Sequence, residues 1–325
     1  MIDFNISKDI LEKTERILFI SHFSIKDFVY AQNYFINFAK EYQNIKIDLY
    51  VDPLCARPAI FRFSDYKNHM LKDWLQEFNI FNKVYFAPTN FLKYLDLKKE
   101  IKNQNYLLII NLATKNILKF NKFAKNISKN ANIINQNILQ DNNYNNNILN
   151  IDIPKKWLIS VKLNFLSWGI NDKQRQIKKI IFINPFERNL QRLWPIERIF
   201  EFIDELRVSE NFYNTVFIIN VLPHNYKKYQ KVLKNFAKQN TFLFVVTHNF
   251  FQLVSMVKLS DLVISVDNPV LTLAQVFNKP VINILQKSKI QEINNKNNIY
   301  LASKWQFKSD ILIDNLINKV KEINY

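Results

Sequence analysis

Short, unbroken apolar runs alternate along the chain with longer amphipathic stretches, and this rhythm restricts the possible fold more than any other feature. Runs that are apolar at every position suit parallel β-strands covered by helices on both faces. The predicted strands are Ile17–Ile20, Ile45–Val51, Val84–Phe86, Leu107–Ile110, Ile180–Ile183, Val216–Ile219, Phe242–Val246, Leu262–Val266 and Val281–Ile284. Their alternation with amphipathic stretches predicts βαβ units and an open, doubly wound α/β sheet.

The stretches between these runs carry helix signals. From Asp27 onward, apolar residues recur with the spacing of one helix face. Pro195 stands where a helix would begin after the fifth predicted strand, a position that proline favours. A last helix is predicted after Ser309, with apolar residues again on one face.

The rhythm occurs twice, which predicts two domains. The Asn-rich run from Gln140 to Ile148 is predicted to be a surface loop, and Gly169, which follows it, is a candidate hinge. We therefore expect an N-terminal domain over residues 1–168 and a C-terminal domain over residues 169–325. The two would face a cleft, and the last helix could pack back on the first domain.

Composition narrows the chemistry. The chain has 325 residues but one glycine, so glycine-rich phosphate loops cannot exist in it. Its one cysteine excludes a disulfide scaffold and a cysteine-built zinc site. The net charge of +17 favours an anionic partner, which could be a nucleotide, a nucleic acid, a phosphorylated glycan or a membrane surface. The first residues lack the pattern of a secretory signal, which favours a cytoplasmic protein.

Ligands of doubly wound sheets bind beyond the carboxyl ends of the strands, where helix N-termini present free N–H groups. In the loop after the first strand, Asp27 is either a helix N-cap or a general base. Arg188 and Arg192 precede a helix N-terminus, where cations are unfavourable unless an anion binds, although they could also belong to a solvated basic loop. Asp267 either caps the helix that follows it or borders an anion site there.

No Asp-x-Asp pair occurs in the chain. Transferases that neutralise a diphosphate with a divalent ion usually present such clustered carboxylates. We therefore expect no metal. If a sugar nucleotide is the substrate, cationic side chains and helix dipoles would stabilise its leaving group.

Three segments resemble glycosyltransferase family 9, the ADP-heptose:lipopolysaccharide heptosyltransferases, and they occur in the order found in that family. Residues 17–52 are similar to its opening strand, loop and helix. Residues 180–206 resemble its segment of strand, Asn-Pro-Gly, Lys or Arg, Trp-Pro and helix, and residues 253–285 resemble its Asp-Thr-Gly segment. The more specific matches are Trp194-Pro195, Ser265–Asp267 and Lys279-Pro280.

The resemblance implies a GT-B architecture of two Rossmann-like domains and an inverting, metal-independent reaction. It implies an N-terminal acceptor-binding domain over residues 1–168 and a C-terminal domain over residues 169–325 that binds the nucleotide sugar. It implies that Asp27 is the catalytic base and that Arg192 grips the diphosphate of the donor. Lys115, which follows a predicted strand, is a further candidate for binding acceptor phosphate. The donor-binding residues predicted in this way are Ser24, Asn184, Arg188, Arg192, Asp267, Asn268, Val270 and Thr272.

The sequence thus predicts a bacterial glycosyltransferase without a cofactor, cytoplasmic or peripheral at the inner face of the cytoplasmic membrane. It would move a sugar, with heptose favoured, from ADP-heptose or another nucleotide sugar to a lipid-linked or phosphorylated acceptor of the lipopolysaccharide or lipooligosaccharide core. Two alternatives stay open. Lys26, Phe186 and Pro269 replace family glycines, which favours a degenerate GT-B protein that binds a glycan or partner without catalysis. A basic nucleic-acid-binding protein is less favoured, because no helix-turn-helix, RNP or zinc pattern appears and the aromatic residues lie mostly on apolar stripes.

Overall fold

The chain folds into two compact units, Met1–Leu149 and Asn150–Tyr325. Each unit is built on one parallel sheet. The structure is a computed structural model that describes residues 6–52, 66–88, 90–138, 151–171, 179–186, 194–209, 212–235, 240–266, 268–286, 298–303 and 313–323.

The first unit alternates strands with helices. Its elements are α1 (Lys8–Glu12), β1 (Arg16–Ser21), α2 (Ile25–Glu41), β2 (Lys46–Val51), α3 (Tyr66–Glu77), β3 (Lys83–Phe86), α4 (Phe91–Lys102), β4 (Leu108–Asn111), α5 (Ile117–Ile127) and β5 (Asn132–Asn135). The strands pair in the order β3-β2-β1-β4-β5, and every pairing is parallel. The order reverses between β1 and β4, which makes their carboxyl ends the expected ligand-binding position of this unit.

The centre of the first unit is β1, whose residues Ile17–Ile20 are completely buried. On one face of the sheet, the ring of Phe19 meets those of Phe35 and Phe38 from α2 edge to face, with centroids 5.3 and 5.2 Å apart. On the other face, β1 belongs to a cluster that includes Phe120 of α5. Burial on both faces explains why this strand is apolar at every central position.

The second unit repeats this arrangement with one more strand. Its elements are α6 (Lys155–Ser167), β6 (Ile180–Asn184), α7 (Ile196–Arg207), β7 (Val216–Asn220), α8 (Tyr226–Asn235), β8 (Thr241–Phe244), α9 (Phe251–Leu259), β9 (Leu262–Ser265), α10 (Asn268–Val276), β10 (Val281–Gln286), β11 (Asn298–Ser303) and α11 (Ile313–Glu322). The strands pair in the order β11-β10-β9-β6-β7-β8, again all parallel. Here the order reverses between β6 and β9.

The division of the chain differs from the sequence-based one by a single helix. The sequence places the division after residue 168, whereas the compact units divide after Leu149. The helix between these two points, α6, buries Val161 and Phe165 and packs against α9 of the second unit. A hydrogen bond of 3.0 Å from Gln252 Nε2 to Ser160 Oγ joins the two helices. These contacts account for the assignment of α6 to the second unit.

The last helix also belongs to the second unit. Its residues Ile313, Leu316 and Val320 are buried in the same hydrophobic cluster as Phe200 of α7. The structure therefore places α11 on α7, whereas the sequence left open a return to the first domain.

Candidate functional site

The first unit begins α2 with a complete capping box at the carboxyl end of β1. Ser24 is the N-cap, and its hydroxyl oxygen lies 3.4 Å from the backbone N–H of Asp27, which donates to it. The Asp27 side chain reaches back, and its Oδ2 accepts from the Ser24 N–H at 2.9 Å and from the Ser24 hydroxyl at 2.7 Å. Asp27 is therefore the third helical residue rather than the N-cap, and Ser24 fixes its orientation.

Only one oxygen of the half-buried Asp27 carboxylate is used in this way. Among the described residues, no hydrogen bond reaches its Oδ1. A carboxylate with one anchored and one open oxygen can take up a proton without losing its position. The capping and the catalytic interpretations of Asp27 are thus compatible with each other.

His22 is a buried neighbour of Asp27 that sequence analysis did not assign. The residue directly follows β1, and only 9% of its surface is exposed. Its Nε2 lies 3.3 Å from the hydroxyl of Thr114, which follows β4, and its buried Nδ1 has no hydrogen-bond partner in the part of the chain that the structure describes. The strand reversal therefore brings the loops after β1 and β4 into contact, as the topology requires.

Charged groups around His22 link it to two of the predicted site residues. Burial lowers the pKa of His22 below its ordinary value, and the nearby Lys115 lowers it further. Asp27 opposes the effect of burial more strongly than any other neighbour, and Asp52, after β2, acts in the same direction. The first unit thus assembles Asp27, Lys115 and a buried imidazole at one edge of its sheet.

The loop that carries Thr114 and Lys115 is shaped by an asparagine at the end of β4. The buried side chain of Asn111 accepts a hydrogen bond from the Ala113 N–H at 3.0 Å. Its Nδ2 donates to Asn121 Oδ1 at 2.8 Å and to Asn135 Oδ1 at 3.0 Å. These bonds fix the first turn of the loop and so help to position Lys115.

The second unit has a ladder of polar side chains across three strand ends. Asn184 ends β6, and its Oδ1 accepts from Asn220 Nδ2 at the end of β7, at 2.9 Å. The Asn184 Nδ2 donates to Ser265 Oγ at the end of β9, at 3.2 Å, and to the Phe186 carbonyl at 3.4 Å. Asn184, a predicted donor-binding residue, is buried here and uses its amide to hold the strand ends together.

The Trp-Pro motif returns the chain to the end of β6. The N–H of Trp194 donates to the carbonyl of Pro185 at 2.7 Å, and the indole packs against Phe202 of α7. The indole is buried, and Pro195 directly precedes the first helical residue of α7. Trp194 therefore lies next to the residues that follow β6, at the carboxyl edge of the sheet.

Of the remaining predicted donor residues, the structure describes some and leaves others out. Val270 and Thr272 are buried in α10, which begins three residues after the end of β9. Because its side chain is buried, Val270 is available to a ligand through its backbone alone. Pro269, in the same first turn, offers no N–H. Arg188, Arg192 and Asp267 lie outside the described residues, as does the side chain of Asn268.

The described residues show neither a cluster of metal ligands nor a membrane-spanning helix. Their His, Cys, Asp and Glu side chains include no group of three or more that could hold a metal ion. None of their helices combines the length and the apolar character needed to cross a bilayer.

Solved structures of glycosyltransferases align with nearly the whole chain. A glycosyl transferase family 9 protein from Veillonella parvula aligns with a TM-score of 0.63 and 11% identity over 95% of this chain and 89% of its own. Escherichia coli ADP-heptose lipopolysaccharide heptosyltransferase II aligns with a TM-score of 0.58 and 10% identity over 94% of this chain and 98% of its own. An E. coli heptosyltransferase with ADP-2-deoxy-2-fluoro heptose aligns with a TM-score of 0.55 and 12% identity over 94% of this chain and 99% of its own.

The chain therefore has the GT-B type of α/β fold, with two Rossmann-like units. The resemblance to glycosyltransferase family 9 is confirmed at the level of the fold, over nearly the whole chain. No family model matches the sequence, and no curated protein matches it.

Proposed function

We propose that the protein is an inverting, metal-independent glycosyltransferase. It moves a sugar, heptose in the first instance, from a nucleoside-diphosphate donor to an acceptor of the lipopolysaccharide or lipooligosaccharide core. The observation that carries this proposal is the Asp27 carboxylate, anchored through one oxygen at the strand reversal of the first unit. The similarity of the fold to an ADP-heptose heptosyltransferase and to a heptosyltransferase with an ADP-heptose analogue supports the choice of donor.

The reaction follows from the roles assigned to each group. Asp27 Oδ1 takes the proton of the acceptor hydroxyl while the hydroxyl oxygen attacks the anomeric carbon. The new carbon–oxygen bond forms on one side as the bond to the diphosphate breaks on the other, so the configuration inverts. Lys115 is assigned to phosphate groups of the acceptor, because its side chain is exposed near Asp27 and His22.

The leaving nucleoside diphosphate is assigned to the second unit. Arg192, assisted by Arg188, neutralises its charge, and the N-terminal end of α10 contributes its dipole through the backbone near Asn268 and Val270. Asp267 and Thr272 would lie near the donor sugar, and Ser24 near the donor from the first unit. The described residues on either side of the segment with both arginines, Pro185 and Trp194, are hydrogen-bonded to each other next to the end of β6, which supports a ligand-binding role for this segment.

The base assignment is tested with Asp27→Asn. The amide can still accept the two bonds from Ser24 but cannot take a proton, so we expect transfer to fall by about 10²–10⁴-fold while ADP binding in a calorimeter is retained. Asn90→Ala is a matched control, because it removes the N-cap of α4, which accepts from Leu92 and Lys93, and costs about 1 kcal/mol of stability without touching the base. Undiminished transfer by Asp27→Asn would remove Asp27 as the base.

The donor assignment is tested with Arg192→Ala. Loss of a charge-assisted contact to the diphosphate should weaken ADP binding by about 10- to 100-fold. A wild-type protein that binds no nucleoside diphosphate would refute the proposed function. A wild-type protein that binds ADP but transfers no sugar to any extracted acceptor would instead support the degenerate alternative.

The proposed acceptor also suggests where in the cell the protein works. An acceptor that is part of a lipid-anchored core is presented at a membrane, so we propose that the protein works in the cytoplasm as a peripheral protein at the inner face of the cytoplasmic membrane. The net charge of +17 supports contact with anionic lipid.

A further inference from the structure

Four large apolar side chains of the first unit are exposed on the first turns of two helices. Phe91 and Leu92 of α4 are 71% and 68% exposed, and Ile117 and Leu118 of α5 are 40% and 85% exposed. We call these four residues the apolar patch. Exposed large apolar side chains that are grouped together usually mark a binding surface.

The topology brings the four residues to one edge of the first unit. In a parallel sheet the helix that follows each strand begins at the carboxyl edge, so α4 and α5 both begin there, after β3 and β4. The two helices are neighbours, and the ring centroids of Tyr94 in α4 and Phe123 in α5 are 6.3 Å apart. The apolar patch therefore lies at the same edge of the sheet as Asp27 and Lys115.

The exposure does not come from a frayed helix end. The Asn90 side chain caps α4 by accepting from the backbone N–H groups of Leu92 and Lys93, at 2.9 and 3.2 Å. In α5, the backbone N–H groups of Lys119 and Phe120 both donate to the Asn116 carbonyl. The first turns are formed, and they hold the patch side chains outward.

The charges that α5 and its flanks place beside the apolar patch are all positive, whereas α4 carries exposed Asp96 and Glu100 among its lysines. Residues 101–140 contain six lysines and neither aspartate nor glutamate. Five of these lysines lie on α5 or next to it and are exposed: Lys115, Lys119, Lys122, Lys125 and Lys129. On α4, Glu100 is paired with Lys83 at 3.4 Å. A helix surface with exposed apolar residues and clustered lysines fits the boundary between headgroups and acyl chains of an anionic bilayer.

We propose that the apolar patch inserts into an anionic membrane surface while the lysines of α5 bind its headgroups. Docked in this way, the edge that carries Asp27 faces the bilayer, where a lipid-anchored acceptor is presented. This consequence rests on the proposed function, whereas the binding of lipid does not require it.

The test measures binding of the full chain to vesicles without any sugar nucleotide. Vesicles of phosphatidylcholine alone are compared with vesicles that also contain about one third phosphatidylglycerol. We expect co-sedimentation with the anionic vesicles, and weaker binding at high salt. The double variant Phe91→Ser/Leu118→Ser should bind at least about tenfold more weakly. Both side chains are exposed, so the variant should fold normally.

A matched variant distinguishes binding by the apolar patch from non-specific binding by any exposed apolar side chain. Val208 and Tyr213 of the second unit are similarly exposed, at 86% and 68%, and Val208→Ser/Tyr213→Ser should bind vesicles as the wild type does. Equal losses in both double variants, or equal wild-type binding to both kinds of vesicle, would overturn the proposal. So would a wild-type dimer that the Phe91→Ser/Leu118→Ser variant dissociates, because a second copy would then cover the patch.

A second pair of variants tests the contribution of the α5 lysines to vesicle binding. Lys119→Gln/Lys122→Gln should weaken binding by about fivefold for each lysine removed. Lys227→Gln/Lys228→Gln, which removes two exposed lysines of α8, should leave binding unchanged, and equal effects of the two pairs would count against the proposal.

Activity distinguishes this proposal from the proposed function. The Phe91→Ser/Leu118→Ser variant should keep transfer to a water-soluble acceptor glycan and lose it to the same glycan embedded in vesicles. If the wild type transfers no sugar, the proposed function fails, and the vesicle measurement still decides whether the apolar patch binds lipid.

Discussion

Asparagine takes the backbone conformation that glycine supplies in most proteins. The only glycine, Gly169, has φ of 73° at the end of α6, where its N–H donates to Leu166 and the next N–H donates to Phe165. In the part of the chain that the structure describes, four asparagines also have positive φ values of 51–56°: Asn105, Asn116, Asn240 and Asn278. Asparagine tolerates the left-handed region better than other non-glycine residues, which lets a chain with one glycine form these turns.

Asn105 offers a test of this substitution, because it is exposed and has φ of 51°. Asn105→Ala should lower the free energy of unfolding by about 1 kcal/mol, since alanine is strained in the left-handed region. Asn105→Gly should not lower it in this way, because glycine adopts positive φ without strain. Urea denaturation of the two variants measures the difference, and equal losses would show that the side chain matters more than the backbone.

His22 should make stability depend on pH. Because burial lowers its pKa in the folded state below the ordinary value, the unfolded chain binds the proton more readily. The contribution of His22 to stability is therefore fully present above the unfolded pKa of about 6.5 and falls as the pH drops toward the lowered folded value. His22→Asn should flatten the change in melting temperature between about pH 7.5 and about pH 5. An unchanged slope in the variant would mean that His22 does not titrate in this way.

At the scale of elements, one buried aspartate connects four strands at the amino edge of the first sheet. Asp48 in β2 is completely buried, and its Oδ2 accepts from Arg16 of β1 at 3.1 Å and from the Tyr106 hydroxyl, just before β4, at 2.6 Å. Its Oδ1 accepts from Asn82, next to β3, at 2.8 Å. Burial, reinforced by the bond to Asp48, raises the pKa of Tyr106, so the phenol remains a hydrogen-bond donor.

Asp48→Ala should destabilise the protein by about 3–5 kcal/mol, because it leaves Arg16 and the Tyr106 hydroxyl without their buried partner. Lys83→Gln is the comparison, since the Lys83–Glu100 pair is exposed on both sides and should contribute less than about 1 kcal/mol. Thermal melts of both variants decide the point. A loss in Asp48→Ala no larger than in Lys83→Gln would show that the buried cluster contributes little.

Strand prediction found every central strand and two of the four edge strands that the structure describes. All nine predicted runs are strands. Seven of them are central, and strands covered on both faces must be apolar at nearly every position, whereas β3 and β8 lie at sheet edges. β5 was missed because its two isoleucines are flanked by exposed Asn132 and Asn135, and β11, at the other sheet's edge, also went unpredicted. The start of α2 was placed at Asp27 rather than Ile25 because the cap is the preceding Ser24.

The candidate site is only partly visible in the sequence, for a reason that lies in the whole molecule. Asp27 and Lys115 were predicted because each follows a strand. The contact between His22 and Thr114 was not, because it joins loops after β1 and β4, which become neighbours only once the strand order is known. Asn184 was predicted to bind the donor. Its hydrogen bonds to Asn220 and Ser265 were not predicted, because they too depend on knowing which strands are neighbours.

The charge of the whole molecule leads to a last prediction, which rests on the proposed function. A diphosphate leaving group must be neutralised, and this chain combines a net charge of +17 with the absence of any Asp-x-Asp pair. Arginine side chains and helix N-termini can supply that neutralisation in place of a divalent ion. We therefore expect the rate of sugar transfer to stay within about twofold of its starting value when EDTA is added. A collapse of the rate in EDTA that Mg²⁺ or Mn²⁺ restores would show that a metal ion, rather than Arg188 and Arg192, stabilises the departing diphosphate.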